Sequence, residues 1–302
     1  LFAVCKSQII ADGKTDNKTA IDKMMLTGVV TLPSGAIVYS GSLINGDTFL
    51  SYKQLFNSQN GMTFNKRFEK AKYTPPITII GQPGTILICT NTDTTKAALY
   101  VTGQGRGTYN TVASIKNVTF VGKGIGLVAA NLEGFKLDNV RFVGFKDGLI
   151  LNNVYGFEFR SIRFDSCNRA GFFMQSHGGS VICTWMYQCK TGFEICSNNI
   201  VFNFLYANFC GTGLIVRAGR NEFHSASFEG DKFAEAQIII GNDNGPAISG
   251  TIFSSLLIVS NANSKSGIWF KKTASNVYIN GDYDVFIKSR IDSGSLYKLI
   301  TK

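Results

Sequence analysis

One short phrase keeps returning along this chain: a small residue, a glycine, then three mostly apolar residues. It reads DGLIL from Asp147 to Leu151. Its variants are GIGLV ending at Val128, AGFFM from Ala170, TGFEI from Thr191, TGLIV from Thr212 and SGIWF from Ser266. Five of its glycines, Gly126, Gly148, Gly171, Gly192 and Gly213, follow one another at 22, 23, 21 and 21 residues, and Gly267 comes later. A period of this length without helical periodicity is the mark of a solenoid. Each unit is too small to bury its apolar face alone and must stack on the next.

Each unit also carries apolar pairs upstream of the phrase. One set is Val118 with Phe120, Val140 with Phe142, Ile162 with Phe164, and Ala226 with Phe228. Earlier still come Phe135 with Leu137 and Phe157 with Phe159. Each pair brackets one residue, which is the period of a strand. A unit therefore reads as three short strands joined by turns, one coil of an all-β, single-stranded, right-handed parallel β-helix. Composition agrees, with 24 Phe, 32 Gly and only 5 Pro in 302 residues. The leucine-rich-repeat alternative fails, because its asparagine and leucine consensus is absent. The recurring glycine serves either a positive φ at a corner or a close backbone approach. Behind it, Leu149 and Leu151, Phe172 and Met174, Phe193 and Ile195, and Leu214 and Val216 are expected to point inward. They would stack on the same class of residue one rung away, about 4.8 Å along the axis.

The N-terminal stretch ADGKTDNKTAIDKMM, Ala11 to Met25, resembles the opening of the pectate-lyase-like (pectin-lyase-like) β-helix superfamily as found in bacteriophage tailspikes. There a D-G-x-x-D-x-x-x-A-I stretch leads into a short helix. The matching residues here are Asp12, Gly13, Asp16, Ala20 and Ile21. Asp16 would be the N-cap, and Ala20, Ile21, Met24 and Met25 the apolar face that plugs the open end of the coil. GVVTLPSGAIVYSG and PITIIGQPGTILIC are similar to the strands of the family's first coils. The resemblance implies a trimeric viral tail protein that binds, and in many members cleaves, surface polysaccharide. The expected layout is one β-helix domain over 1–302. It has a cap and first strands in 1–42, an inserted loop in 43–75 and coils in 76–302.

The formal net charge is +10, which suits an acidic partner. The lysines are scattered, and no RNP, zinc-finger or helix-turn-helix pattern is present, so nucleic acid is not an expected partner. No stretch is apolar enough to span a membrane, and none reads as a signal peptide. The chain begins at Leu1 rather than Met, as a fragment or processed product would. Cys167, Cys189 and Cys210 recur at equivalent places and read as a buried column of reduced thiols, as fits a reducing cytosol. His177, in SHGGS, lacks the companions of a polygalacturonase site. Neither it nor His224 has metal-ligand spacing, so no metal and no cofactor is expected.

Inward positions build the solenoid, so function belongs on outward ones. The residue inside each upstream pair gives a column of Thr119, Arg141, Arg163, Trp185, Tyr206 and Ser227. The residue after each pair gives Val121, Val143, Asp165, Tyr187, Asn208 and Glu229. Side by side they offer Arg141, Arg163, Asp165, Trp185, Tyr187, Tyr206 and Asn208 as a saccharide-binding stripe, with His224 nearby. Sugar C–H faces stack on rings, while hydroxyl and uronate groups take charge-assisted hydrogen bonds. The alternative is that these aromatics pack under a loop or a neighbouring subunit. A third column, Val128, Ile150, Phe173, Glu194, Ile215 and Trp269, is too apolar to stay exposed. It would be covered by a neighbour in a homotrimer or by residues 43–75 of the same chain.

Glycosidic hydrolysis needs two carboxyl groups. Glu222, Glu229 and Asp231 fall within one coil and are the catalytic candidates, Glu229 pairing with Asp231 or with Glu222; hydrolysis is favoured over a lyase reaction. The competing reading makes them solvated turn carboxylates. The function expected is that of a tailspike or receptor-binding protein in the virion tail. It would engage capsule or O-antigen at the bacterial cell surface, beside other tail proteins, with depolymerase activity left open. The alternatives are a non-enzymatic structural or adhesive virion protein and a cellular polysaccharide lyase or epimerase.

Overall fold

The computed structural model describes residues 8–45, 76–103, 112–230, 235–244, 247–259, 266–281, 290–292 and 297–301. The described strands join, all in parallel, into one continuous sheet that winds on itself as a parallel β-helix. One coil shows the plan. Lys136–Val143 supplies residues 136–138 to a first face and 140–143 to a second, and Asp147–Tyr155 supplies the third. The first two faces meet at Asn139, whose φ is 52°. Its counterparts Asn117, Ser161, Cys183, Phe204, Ser225 and Ser255 are also left-handed, with φ between 53° and 57° or, for Ser161, 52°. The Asn139 side-chain amide donates to Asn117 Oδ1 at 3.0 Å, so the corner carries its own polar ladder.

The core is stacked rings and aliphatic rows. Phe142 lies parallel to Phe120 and Phe164, with centroids 5.4 and 5.2 Å away. Phe223 stacks between Phe202 and Phe253 at 4.8 and 4.6 Å. All the upstream pairs expected inside are buried, and Thr184 with Met186 and Leu205 with Ala207 fill the same places in the coils between. Cys167, Cys189 and Cys210 are free, buried and in successive coils.

The recurring glycines answer the need for close approach; their φ values lie outside the left-handed region. A Cβ on Gly192 would stand 1.9 Å from the Gly213 carbonyl oxygen, and one on Gly148 would stand 2.6 Å from the Phe164 ring. One of the five is out of column. Leu149 pairs with Gly171, so Ala170, not Gly171, continues the row from Gly148 to Gly192. Phe172 and Met174 therefore do not point inward as expected. Gly171 and Phe173 do, with Phe173 fully buried among the core rings. The outward row takes Phe172 in place of Phe173. A slip of one residue turns every side chain to the other face of a strand.

That outward row is covered without a second chain along much of its length. Tyr100, Val128, Ile150 and Phe172 are buried within the single chain as a second apolar cluster. Their apolarity thus gives no argument for a trimer. One rung further the row carries Glu194, before it returns to Ile215, Ile239 and Trp269. Glu194 accepts from Arg169 Nη1 at 2.7 Å and from Arg217 Nε at 2.6 Å. Arg169 Nε also donates to the buried Asp147 at 2.7 Å.

At the N-terminal end, helix α1 covers Lys18–Met25 and buries Ile21 and Met25 against the first coil. The N-cap position is Asn17 rather than Asp16. Asn17 turns its side chain away to Ile10 and Val38, while Asp16 Oδ1 takes the Lys18 amide at 2.9 Å. The family-like strands fall at Val29–Leu32, Gly35–Tyr39, Ile77–Gly81 and Thr85–Cys89. Leu43–Asn45, assigned from sequence to the inserted loop, is a third-face strand in register with residues 99–101. The remainder of that loop, 46–75, lies outside the described residues.

Candidate functional site

The second face carries two outward columns in exact rung-to-rung register. Thr119, Arg141, Arg163, Trp185, Tyr206, Ser227 and Leu257 are successive partners. So are Val121, Val143, Asp165, Tyr187, Asn208, Glu229 and Val259. Strand alternation sends each of these side chains out of the coil, and parallel pairing sets neighbours one rung apart.

Trp185 is 49% exposed and meets Tyr206 at 5.4 Å between ring centroids. Tyr187, 37% exposed, meets Phe209 edge-on at 5.8 Å. The rings form a plate two rungs deep and two columns wide. Arginines flank it on the N-terminal side and Glu229 on the C-terminal side. Asp165 differs from its expected role as a direct sugar ligand. It is 5% exposed, and its oxygens take Arg141 Nε at 2.6 Å and Arg163 Nε at 2.9 and 3.0 Å. It braces both guanidinium groups while their side chains stay 45% and 48% exposed, the pre-organisation that makes arginine a good reader of planar anions and hydroxyl pairs.

Two aromatic members of this surface were not anticipated. Phe209 is 47% exposed at the corner after the second face, and Phe204 is 49% exposed at the corner before it. Both have left-handed φ, 53° and 57°. Phenylalanine marks the core elsewhere in this chain, which hid them. The signal available was position, since each falls between two inward residues that a corner must separate.

Of the carboxylates proposed for hydrolysis, Glu222 and Glu229 stand on different faces. Glu229 is on the second face beside Asn208. Glu222 is on the first face, beyond the corner at Ser225, and its Oε2 lies 3.2 Å from His224 Nε2. His224 Nδ1 is in turn 2.5 Å from the Ser254 hydroxyl. Asp231 lies outside the described residues.

No family model matches the chain, and no curated protein matches it in sequence. Solved structures do. The tailspike protein of Acinetobacter baumannii phage AM24 superposes over 97% of this chain with a TM-score of 0.64 at 12% identity. Tailspike protein 3 of bacteriophage CBA120 covers 97% at a TM-score of 0.53 and 12% identity. The endo-xylogalacturonan hydrolase of Aspergillus tubingensis covers 97% at 0.54 and 9% identity. The chain spans only 52% and 58% of the two tailspike chains and 90% of the hydrolase. Together these likenesses establish the pectate-lyase-like parallel β-helix fold that the N-terminal residues suggested.

Proposed function

We propose that the second face binds a bacterial surface polysaccharide, capsule or O-antigen. In this reading the chain belongs to a bacteriophage tailspike or receptor-binding protein in the virion tail, beside other tail proteins. The observation that carries it is the in-register run Arg141, Arg163, Trp185, Tyr206 on one open face. A linear polymer needs a linear, repeating site, and a solenoid supplies one contact row per rung. Rings take the C–H faces of sugars, and the Asp165-braced arginines take hydroxyls, carboxylates or phosphates. The tailspike likenesses support this choice among polyanions, and the basic balance of the chain is consistent with it.

Titration calorimetry with purified capsular oligosaccharide tests the reading. Trp185→Ala is expected to weaken binding by about tenfold, the ~1.4 kcal/mol scale of one lost ring contact. If Trp185→Ala combined with Arg163→Ala leaves affinity unchanged, the face is not the site.

A second reading adds cleavage, favoured by the place of Glu229 next to Asn208 and the ring plate. Glu229→Gln is then expected to abolish new reducing ends and spare binding. The reading also carries a homotrimer with threefold closure. Leu257, Val259, Ile252 and Tyr278 leave apolar surface exposed for such contact. Sedimentation as a monomer at micromolar concentration would contradict that assembly.

A further inference from the structure

Across the corner from the aromatic plate, the first face holds an arrangement that glycan binding does not use. Glu222 and His224 are two apart on one strand, Glu222–His224, so both project outward. Ser254 is the register partner of His224 on the next rung, and Asn280 is the partner of Ser254 on the rung after. The imidazole bridges the other two. Nε2 lies 3.2 Å from the Glu222 carboxylate and Nδ1 lies 2.5 Å from Ser254 Oγ. With the ring proton on Nε2, held by Glu222, Nδ1 is free to accept the serine proton. This is nucleophile, base and orienting acid within hydrogen-bond reach of each other. All three are open to solvent in part.

We propose that Ser254, His224 and Glu222 form an ester-hydrolysing relay that removes short O-acyl groups from a polysaccharide. Ser254 Oγ attacks the acyl carbonyl carbon as its proton passes to His224 Nδ1. The Asn280 side-chain amide, one rung along the same column, donates to the tetrahedral oxyanion. The bond from carbon to the sugar oxygen breaks, and that oxygen takes the proton from Nδ1. Water then attacks the acyl-serine, again giving a proton to His224. The free acid leaves and Ser254 is restored. The sum is ester plus water to acid plus alcohol, with no other reactant. Phe204 sits at the corner beside Asn203, the His224 partner on the preceding rung. A chain lying on the aromatic plate can therefore present substituents over the corner to the relay. The choice of polysaccharide as substrate rests on the glycan-binding reading; the relay itself does not.

The experiment separates the two. The whole chain is treated with a fluorophosphonate and digested, and peptides are mapped by mass spectrometry. 4-Nitrophenyl acetate hydrolysis is followed in parallel. An adduct on Ser254, with hydrolysis lost in Ser254→Ala and reduced ~10²-fold or more in His224→Gln, is expected. Melting temperatures should be unchanged, because both positions face outward, and Ser254→Cys should retain an acyl-enzyme burst. Glu222→Gln should lower kcat with KM unchanged, as an orienting group would. No adduct at Ser254 and hydrolysis equal to that of Ser254→Ala overturns the relay, whatever the protein binds. An active relay that releases acetate from O-acetylated capsule equally well in wild type and Trp185→Ala overturns the delivery of substrate by the second face.

Discussion

Phe204 shows what a single residue concedes in this protein. Its six corner counterparts are asparagine, serine or cysteine, side chains that tolerate or locally bond a left-handed backbone. A phenylalanine there pays for a large ring held in solvent. Phe204→Asn is expected to raise stability by about 1 kcal/mol in a denaturant titration while weakening saccharide retention. The opposite constraint governs Gly192. A methyl group there meets the Gly213 carbonyl at 1.9 Å, and a backbone atom cannot swing aside. Gly192→Ala is expected to cost about 3 kcal/mol, the upper range for overpacking, read as a lower urea midpoint.

At the scale of the element, the N-terminal cap and the third-face polar row respond differently to perturbation. Asp12 takes the amides of Lys14 and Thr15 at 2.8 Å each, with the Thr15 hydroxyl at 2.7 Å. These bonds, the Thr15 amide first, hold its pKa at about 2 against an ordinary 3.8. Asp16 is also lowered, chiefly by Ser40 and then by the Lys18 amide. A lowered folded pKa means the unfolded segment binds more protons, so the contribution is present above the ordinary value and lost as pH falls through the folded one. The cap should therefore fray between about pH 3.8 and 2, with amide exchange rising in residues 12–25 before it rises in the coils. In the third-face row, burial pushes the Asp147 carboxyl upward despite Arg169. Arg169→Met would strand the buried Asp147, while Glu194 keeps Arg217 as its partner. The expected loss is about 3–5 kcal/mol, far above that of a surface pair.

The described residues stack as successive rungs, and on the proposed glycan-binding reading recognition should scale with length. The stripe from Arg141 to Glu229 covers four rung steps, about 19 Å at strand spacing. Affinity is expected to rise with oligosaccharide length until the ligand spans that distance and then to level off. An isotherm series over graded oligosaccharides would show it. At this scale the sequence was most informative, since period, strand count per coil and the partners along both second-face columns could be read from the spacing of apolar pairs. The spacing misled where Gly171 was taken as a landmark; the regular step of 22 from Gly148 points to Ala170. Conformational preference misled there because the glycine is selected by packing, and alanine satisfies the same row.

Spacing thus determined the solenoid and which residues stand outward on the second face, because a period-two strand and a near-constant coil length fix both, while the cap was read from the resemblance of Ala11–Met25 to the pectate-lyase-like superfamily. Only the tertiary structure decided what those outward groups do. It put Asp165 beneath two arginines, buried the third-face apolar row within one chain, and set Glu222, His224 and Ser254 in contact across rungs 30 residues apart in sequence. Side-chain distances between coils depend on rotamers and corner geometry, and these are fixed by the packing of neighbouring rungs rather than by local pattern.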